Sequence, residues 1–166
     1  DKGGQGTDGR SAWLRISDDS GHEGLGEATP MLGGLASATV GTIVGSGGTI
    51  LRSTNGGVTW LPQSSGTSVQ LYGVSHSDAL LALAVGGPGT ILRTTNGGAT
   101  WTSHSSGTSV GLNAVQMATA ATAYVAGNAG VVLKTTNGGT SWFPLSTGTS
   151  ANLFGLSFSD ALTGTV

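Results

Sequence analysis

The chain is 166 residues long, with 31 Gly, 20 Ser and 23 Thr, no Cys, six basic and eight acidic side chains and a formal charge of −2. The lack of Cys excludes a disulfide framework, a Cys zinc site and a thiol nucleophile, and the scarcity of Lys and Arg excludes the cationic field that nucleic acid or an anionic membrane surface requires. No apolar run approaches the ~20 residues that span a bilayer, yet hydrophobic residues make up 37% of the chain, too much for a solvated linker and enough for one domain with a core.

The sequence begins at Asp1, without Met or a signal peptide, and reads as a processed product, an excised domain or a partial chain. Its low charge, missing Cys and abundant Ser and Thr suit an extracytoplasmic protein, secreted or at the cell surface. The first recognisable motif is Thr7-Asp8-Gly9-Arg10-Ser11-Ala12-Trp13. A polar segment follows at 18–31, expected to be an inserted loop. It holds Asp18, Asp19, His22, Glu23 and Glu27, whose oxygen and imidazole donors make it the one candidate metal-binding stretch, for Ca²⁺ or a transition metal. It has no EF-hand spacing, so a solvated loop is the alternative, and no cofactor is expected.

From about residue 32 the chain repeats. Ser53-Thr54-Asn55-Gly56-Gly57-Val58-Thr59-Trp60 recurs as Thr94-Thr95-Asn96-Gly97-Gly98-Ala99-Thr100-Trp101 and as Thr135-Thr136-Asn137-Gly138-Gly139-Thr140-Ser141-Trp142. The three Asn and the three Trp each stand 41 residues apart, whereas Asp8 precedes Asn55 by 47, six more than one repeat. Within the third unit the apolar runs fall at 112–117, 122–126, 131–136 and 140–145. Asn137-Gly138 between the last two predicts a type I′ hairpin turn, with positive φ at both residues. Four short antiparallel strands per ~41-residue unit predict the blade of an all-β propeller, a single domain over 1–166. The blades are expected at about 32–62, 69–104 and 110–145. A further one is closed by 152–166 together with 1–17, which makes four blades if those terminal strands pair.

The pattern Ser53, Asn55, Gly57, Trp60 resembles the Asp-box, or bacterial neuraminidase repeat, with Asn in place of Asp. The longer pattern runs from Leu71-Tyr72-Gly73-Val74 through Val85-Gly86 to Gly89-Thr90-Ile91-Leu92-Arg93-Thr94-Thr95-Asn96-Gly97-Gly98 and Trp101. It is similar to the photosystem II stability/assembly factor family over residues 32–166. The resemblance implies a β-propeller. It carries the structural box onto Asp8 and Trp13 in the worn copy, then onto Ser53, Asn55, Gly57, Trp60, Thr94, Asn96, Gly98, Trp101, Thr135, Asn137, Gly139 and Trp142. It also implies docking through a basic surface, for which Arg52, Arg93 and Lys134, at one repeat position, form a candidate arc.

Each box Asn is expected to accept N–H bonds inside its own turn, and each Trp to wedge between blades with its indole N–H on a carbonyl. No catalytic set emerges: Asp78 and Asp160 are repeat-equivalent, and the one Gly-x-Ser-x-Gly string, Gly107-Thr108-Ser109-Val110-Gly111, lies where the sister units carry Gly66-Thr67-Ser68 and Gly148-Thr149-Ser150, so it too reads as a repeat feature. The expected function is therefore a non-catalytic interaction or assembly module with a protein partner or a larger extracellular assembly. The alternative is a carbohydrate-binding propeller, or a fragment of an Asp-box glycoside hydrolase, with a glycan as ligand.

Overall fold

The computed structural model of the protein describes residues 12–17, 23–28, 39–160 and 163–165. Their strands are all antiparallel. Strands β1 (Ala12–Ser17) and β2 (Glu23–Ala28) pair as a hairpin, Ser17 opposite Glu23. A three-stranded sheet follows from β3 (Gly41–Val44), β4 (Ile50–Ser53) and β5 (Leu61–Gln63). Two four-stranded blades come next. The first holds β6 (Leu71–His76), β7 (Ala82–Gly86), β8 (Thr90–Thr94) and β9 (Thr102–Ser105). The second holds β10 (Leu112–Met117), β11 (Ala123–Gly127), β12 (Val132–Thr135) and β13 (Phe143–Leu145). Strands β14 (Ser157–Phe158) and β15 (Gly164–Thr165) pair with each other. In every sheet, strands neighbouring in sequence neighbour in space, the meander of a propeller blade, and the described residues contain no α-helix.

The packing explains why the apolar runs lack polar alternation. Strand β7 is buried at all five positions. Leu83 and Val85 point into one cluster with Leu112, Val125 and Trp142 of the β10–β13 blade. Ala82 and Ala84 point into a second cluster with Val44 and Ile50 of the β3–β5 sheet and Trp101. A strand covered on both faces has no solvated side to mark with polar residues. The outer strands β5 and β13 carry Pro62 and Pro144, opposite Leu51 and Leu133. Pro brings no N–H to the open edge, which blunts it as a template for stray pairing.

Three expectations change. The fourth strand of the third unit begins at Phe143, not 140, because the box loop occupies the residues between. That loop is not a type I′ turn on Asn137-Gly138. The left-handed residues are Gly138 (φ 67°) and Gly139 (φ 89°), and Asn137 has no positive φ. The Asn side chain itself mimics a turn of backbone, so the left-handed step moves one residue on, to the Gly pair. Of the loop expected over 18–31, Glu23–Ala28 is strand β2; pairing with β1 satisfies backbone groups that a loop leaves to water. The rest of that segment lies outside the described residues. So do residues 1–11, on which the expected closure of a blade by the two chain ends depends.

The second Gly of the second and third box pairs, Gly98 and Gly139, has a further constraint. A Cβ at Gly139 would stand 2.6 Å from Leu83 Cδ2 of the preceding blade, whereas one at Gly148 (φ 70°) would meet nothing. Gly148→Ala is expected to cost about 1–2 kcal/mol from the left-handed backbone alone, and Gly139→Ala about 1–3 kcal/mol more from overpacking, both read by urea unfolding. Trp101→Ala, which empties the wedge between two sheets, is expected to cost ~3–5 kcal/mol.

Candidate functional site

The box loops are built the same way three times. Ser53, Thr94 and Thr135 end β4, β8 and β12 and are buried to 1%, 1% and 0% exposure. Each hydroxyl accepts the backbone N–H of the Asn two residues on (3.3 Å in all three) and of the Gly four residues on (2.8, 2.8 and 3.0 Å). It donates to that Asn's Oδ1 at 2.9, 3.0 and 2.9 Å. The same Oδ1 accepts the N–H of Thr59, Thr100 or Ser141, while Nδ2 donates to the hydroxyl of that residue at 2.8, 2.9 and 2.8 Å. Asn fits where the resembled motif has Asp because its amide supplies this extra donor without charge.

The second and third loops deliver a Trp to the preceding sheet. Trp101 Nε1 donates to Gln63 Oε1 and Trp142 Nε1 to the Gly139 carbonyl, both at 3.2 Å. Trp60 is half-buried, its ring against Gly41, where a Cβ would stand 2.9 Å from Cη2. In the worn copy Asp8 lies outside the described residues and Trp13 is placed on β1 by its backbone.

Arg52 and Arg93 reach forward to the next unit, whereas Lys134 lies over a ring of its own blade. Arg52 Nη2 donates to the Ala79 carbonyl at 2.6 Å and Arg93 Nε to the Gly138 carbonyl at 2.7 Å. Lys134 Nζ sits 5.3 Å from the ring centroid of Tyr124, which stacks on Phe158 of β14 at 3.7 Å. The two Arg of the arc thus clamp neighbouring units together, a use that the shared repeat position alone did not reveal. Arg52 differs in one respect: its Nη1 is buried without a hydrogen-bond partner. Burial draws its pKa below the ordinary value, though a guanidinium stays charged.

Beside Arg52 a groove of about 360 Å³ opens between β5 and the box loop of the next blade, lined also by Thr54, Thr59, Leu61, Gln63 and Ala99. Leu61 is exposed, as is the nearby Val58. Gln63 forms one wall; its Nε2 donates to the Gly97 carbonyl at 3.1 Å. The groove was not legible as a site in the sequence, but a signal exists. Gln63 breaks the repeat, since its equivalents are His104 and Leu145.

The titratable groups outside the box hold turns or blade joints. Asp78 Oδ1 accepts the N–H of Leu80 (2.7 Å) and Leu81 (2.9 Å), and Ser77 Oγ donates to its Oδ2. The Leu81 N–H above all holds its pKa below the ordinary carboxylate value. The repeat-equivalent Asp160 accepts from Thr163 N–H at 2.7 Å. His76 Nε2 pairs with Thr42 Oγ1 of β3 at 3.0 Å, across the joint between two sheets. Of the metal candidates, Asp18, Asp19 and His22 lie outside the described residues, as do the side chains of Glu23 and Glu27. Among the described residues no three His, Asp or Glu gather where a metal could bind.

Residues 30–143 match the family model described as photosynthesis system II assembly factor YCF48. No curated protein matches the chain. Among solved structures, YCF48 bound to D1 peptide is 23% identical with a TM-score of 0.61, covering 70% of this chain and 40% of that one. YCF48 from Cyanidioschyzon merolae is 24% identical with a TM-score of 0.59, covering 84% of this chain and 44% of that one. An ancestral GH74 enzyme is 19% identical with a TM-score of 0.56, covering 84% of this chain and 23% of that one. At these identities the likeness is one of fold, and the chain spans less than half the length of each structure.

The His76 joint has a pH signature. Burial first, and Arg52 second, push its pKa from 6.5 down to about 4, against the opposing pull of Asp78. The folded state therefore holds His76 neutral. Its full contribution is present above pH 6.5 and is lost as pH falls through 6.5 toward 4, because the unfolded chain takes up the proton first. Urea unfolding between neutral pH and about pH 4 is expected to lose roughly 2–3 kcal/mol. The change His76→Met, copying the equivalent Met117, is expected to flatten most of that slope.

Proposed function

The chain belongs to the photosynthesis system II assembly factor YCF48 family, and we propose that it is a non-catalytic propeller that binds a segment of a protein partner during assembly, outside the cytoplasm. The groove beside Arg52 carries this reading. Arg52 lines the groove, and its guanidinium, whose Nη1 has no acceptor within the fold, gives a partner's carbonyl or carboxylate a cationic wall. Exposed Leu61 beside it offers an apolar contact to the same segment. One structure of like fold was solved with D1 peptide bound, which supports a peptide as the ligand class. The carboxylates Asp78 and Asp160 are occupied in turns, which supports the absence of glycosidase chemistry. The placement outside the cytoplasm rests on composition, a chain without Cys and with few charges.

The likeness to a GH74 enzyme favours a second reading, a glycan-binding propeller. Titration calorimetry with the D1 peptide and with a glucan oligosaccharide panel separates the two. The expected result is peptide binding that weakens with salt and falls about tenfold or more in Thr54→Glu, where an exposed rim residue becomes anionic beside Arg52. The melting temperature of that variant should be unchanged. Oligosaccharide binding without peptide binding would overturn the proposal in favour of the second reading, and peptide binding indifferent to Thr54→Glu would remove the groove as its site.

A further inference from the structure

Each box contains an Asn-Gly pair, the dipeptide best suited to intramolecular deamidation because Gly leaves its own nitrogen unhindered. In that reaction the Gly backbone nitrogen gives up its proton and attacks the Asn Cγ. The bond from Cγ to the side-chain amide nitrogen breaks and ammonia leaves. Water then opens the cyclic imide at one of its two carbonyls, giving Asp or isoAsp. Every atom this requires is in place in Asn55-Gly56, Asn96-Gly97 and Asn137-Gly138, and all three Asn are exposed.

The fold closes the reaction off. The attacking N–H is bonded in each case to a carbonyl of the neighbouring turn: Gly56 to Thr39 at 3.0 Å, Gly97 to Leu80 at 2.9 Å and Gly138 to Ala121 at 2.7 Å. The leaving amide is held by the Thr59, Thr100 or Ser141 hydroxyl, and the Asn Oδ1 by the box hydroxyl and an N–H. Attack therefore requires the box to open. The gate is graded along the chain: Gly56 is exposed, Gly97 half-buried and Gly138 buried, in the same order as their hydrogen bonds shorten.

We infer that the three Asn-Gly pairs are conformation-gated modification sites, silent while the box is closed, with Asn55 the first to deamidate in the folded protein and Asn137 the last. The two products differ in consequence. Asp keeps the Oδ1 acceptor, and the Thr59 hydroxyl can turn to donate to the second oxygen. IsoAsp adds a main-chain methylene inside the loop and pulls the Asn and Gly N–H groups away from Ser53 Oγ. Ageing at Asn55 thus either leaves a working box or breaks the one that borders the Arg52 groove.

The test incubates the folded chain and the same chain in denaturant at mildly alkaline pH until the first folded-state site has reacted. Trypsin cuts after Arg52, Arg93 and Lys134, which places each Asn-Gly in its own peptide for mass spectrometry. The expected result is a folded-state rate more than about tenfold below the denatured rate at each site, with Asn55 reacting first and Asn137 last. Equal folded and denatured rates at any site, or Asn137 reacting before Asn55, would overturn the inference. In a second arm, Asn55→Asp is expected to fold with a melting temperature within a few degrees of the parent. Failure of that variant to fold would overturn the claim that the Asp product is tolerated.

Discussion

One buried hydroxyl at the end of β4, of β8 and of β12 organises everything around it. Ser53, Thr94 and Thr135 each hold two backbone N–H groups and one Asn side chain in place. An isolated buried hydroxyl is a cost; one that accepts twice and donates once turns a flexible run of Gly and Thr into a fixed loop. Fixing the loop fixes the Trp that follows it, and the Trp fixes the angle at which one sheet meets the next. The β3–β5 sheet, the β6–β9 blade and the β10–β13 blade are therefore joined by the same hydrogen-bonded device.

A chain with so few charges has little electrostatic means of holding sheets together, and the structure places its cations accordingly. Arg52 and Arg93 do not face water as a row; each reaches a carbonyl of the next unit, where one guanidinium N–H secures a backbone group that loops otherwise leave to solvent. The joint at Arg52 is the least complete. It carries the unpaired Nη1, the groove, and a Gln63 that the other units lack. A repeat protein acquires function where the repeat is broken, since positions common to all units are bound by the needs of stacking. The proposal that the groove takes a partner's segment rests on that asymmetry.

The repeat interval carried most of the fold. Trp60, Trp101 and Trp142 at one spacing required a common wedge, and the buried positions of Trp101 and Trp142 meet that requirement. Strands 112–117 and 123–127 fall within a residue of the apolar runs that predict them. The turn differs from the expected type because Asn-Gly expresses a local propensity, whereas its conformation here is set by Thr135, two residues upstream of the Asn and itself fully buried. The clamps of Arg52 and Arg93 were illegible for a related reason. Repeat position tells which residues are equivalent, not which carbonyl of the next unit each one meets.

Native-state hydrogen exchange tests this account most directly. If the box hydroxyls hold the sheets in register, the amides of Gly98 and Thr100, which donate to Thr94 Oγ1 and Asn96 Oδ1, open only when the blade does. Their protection should then match that of Leu83 and Val85 in β7 to within about tenfold, although Thr100 is exposed. Exchange of both amides at the rate of an unstructured surface loop, with β7 still protected, would show that the blades stand without the box and would contradict the account.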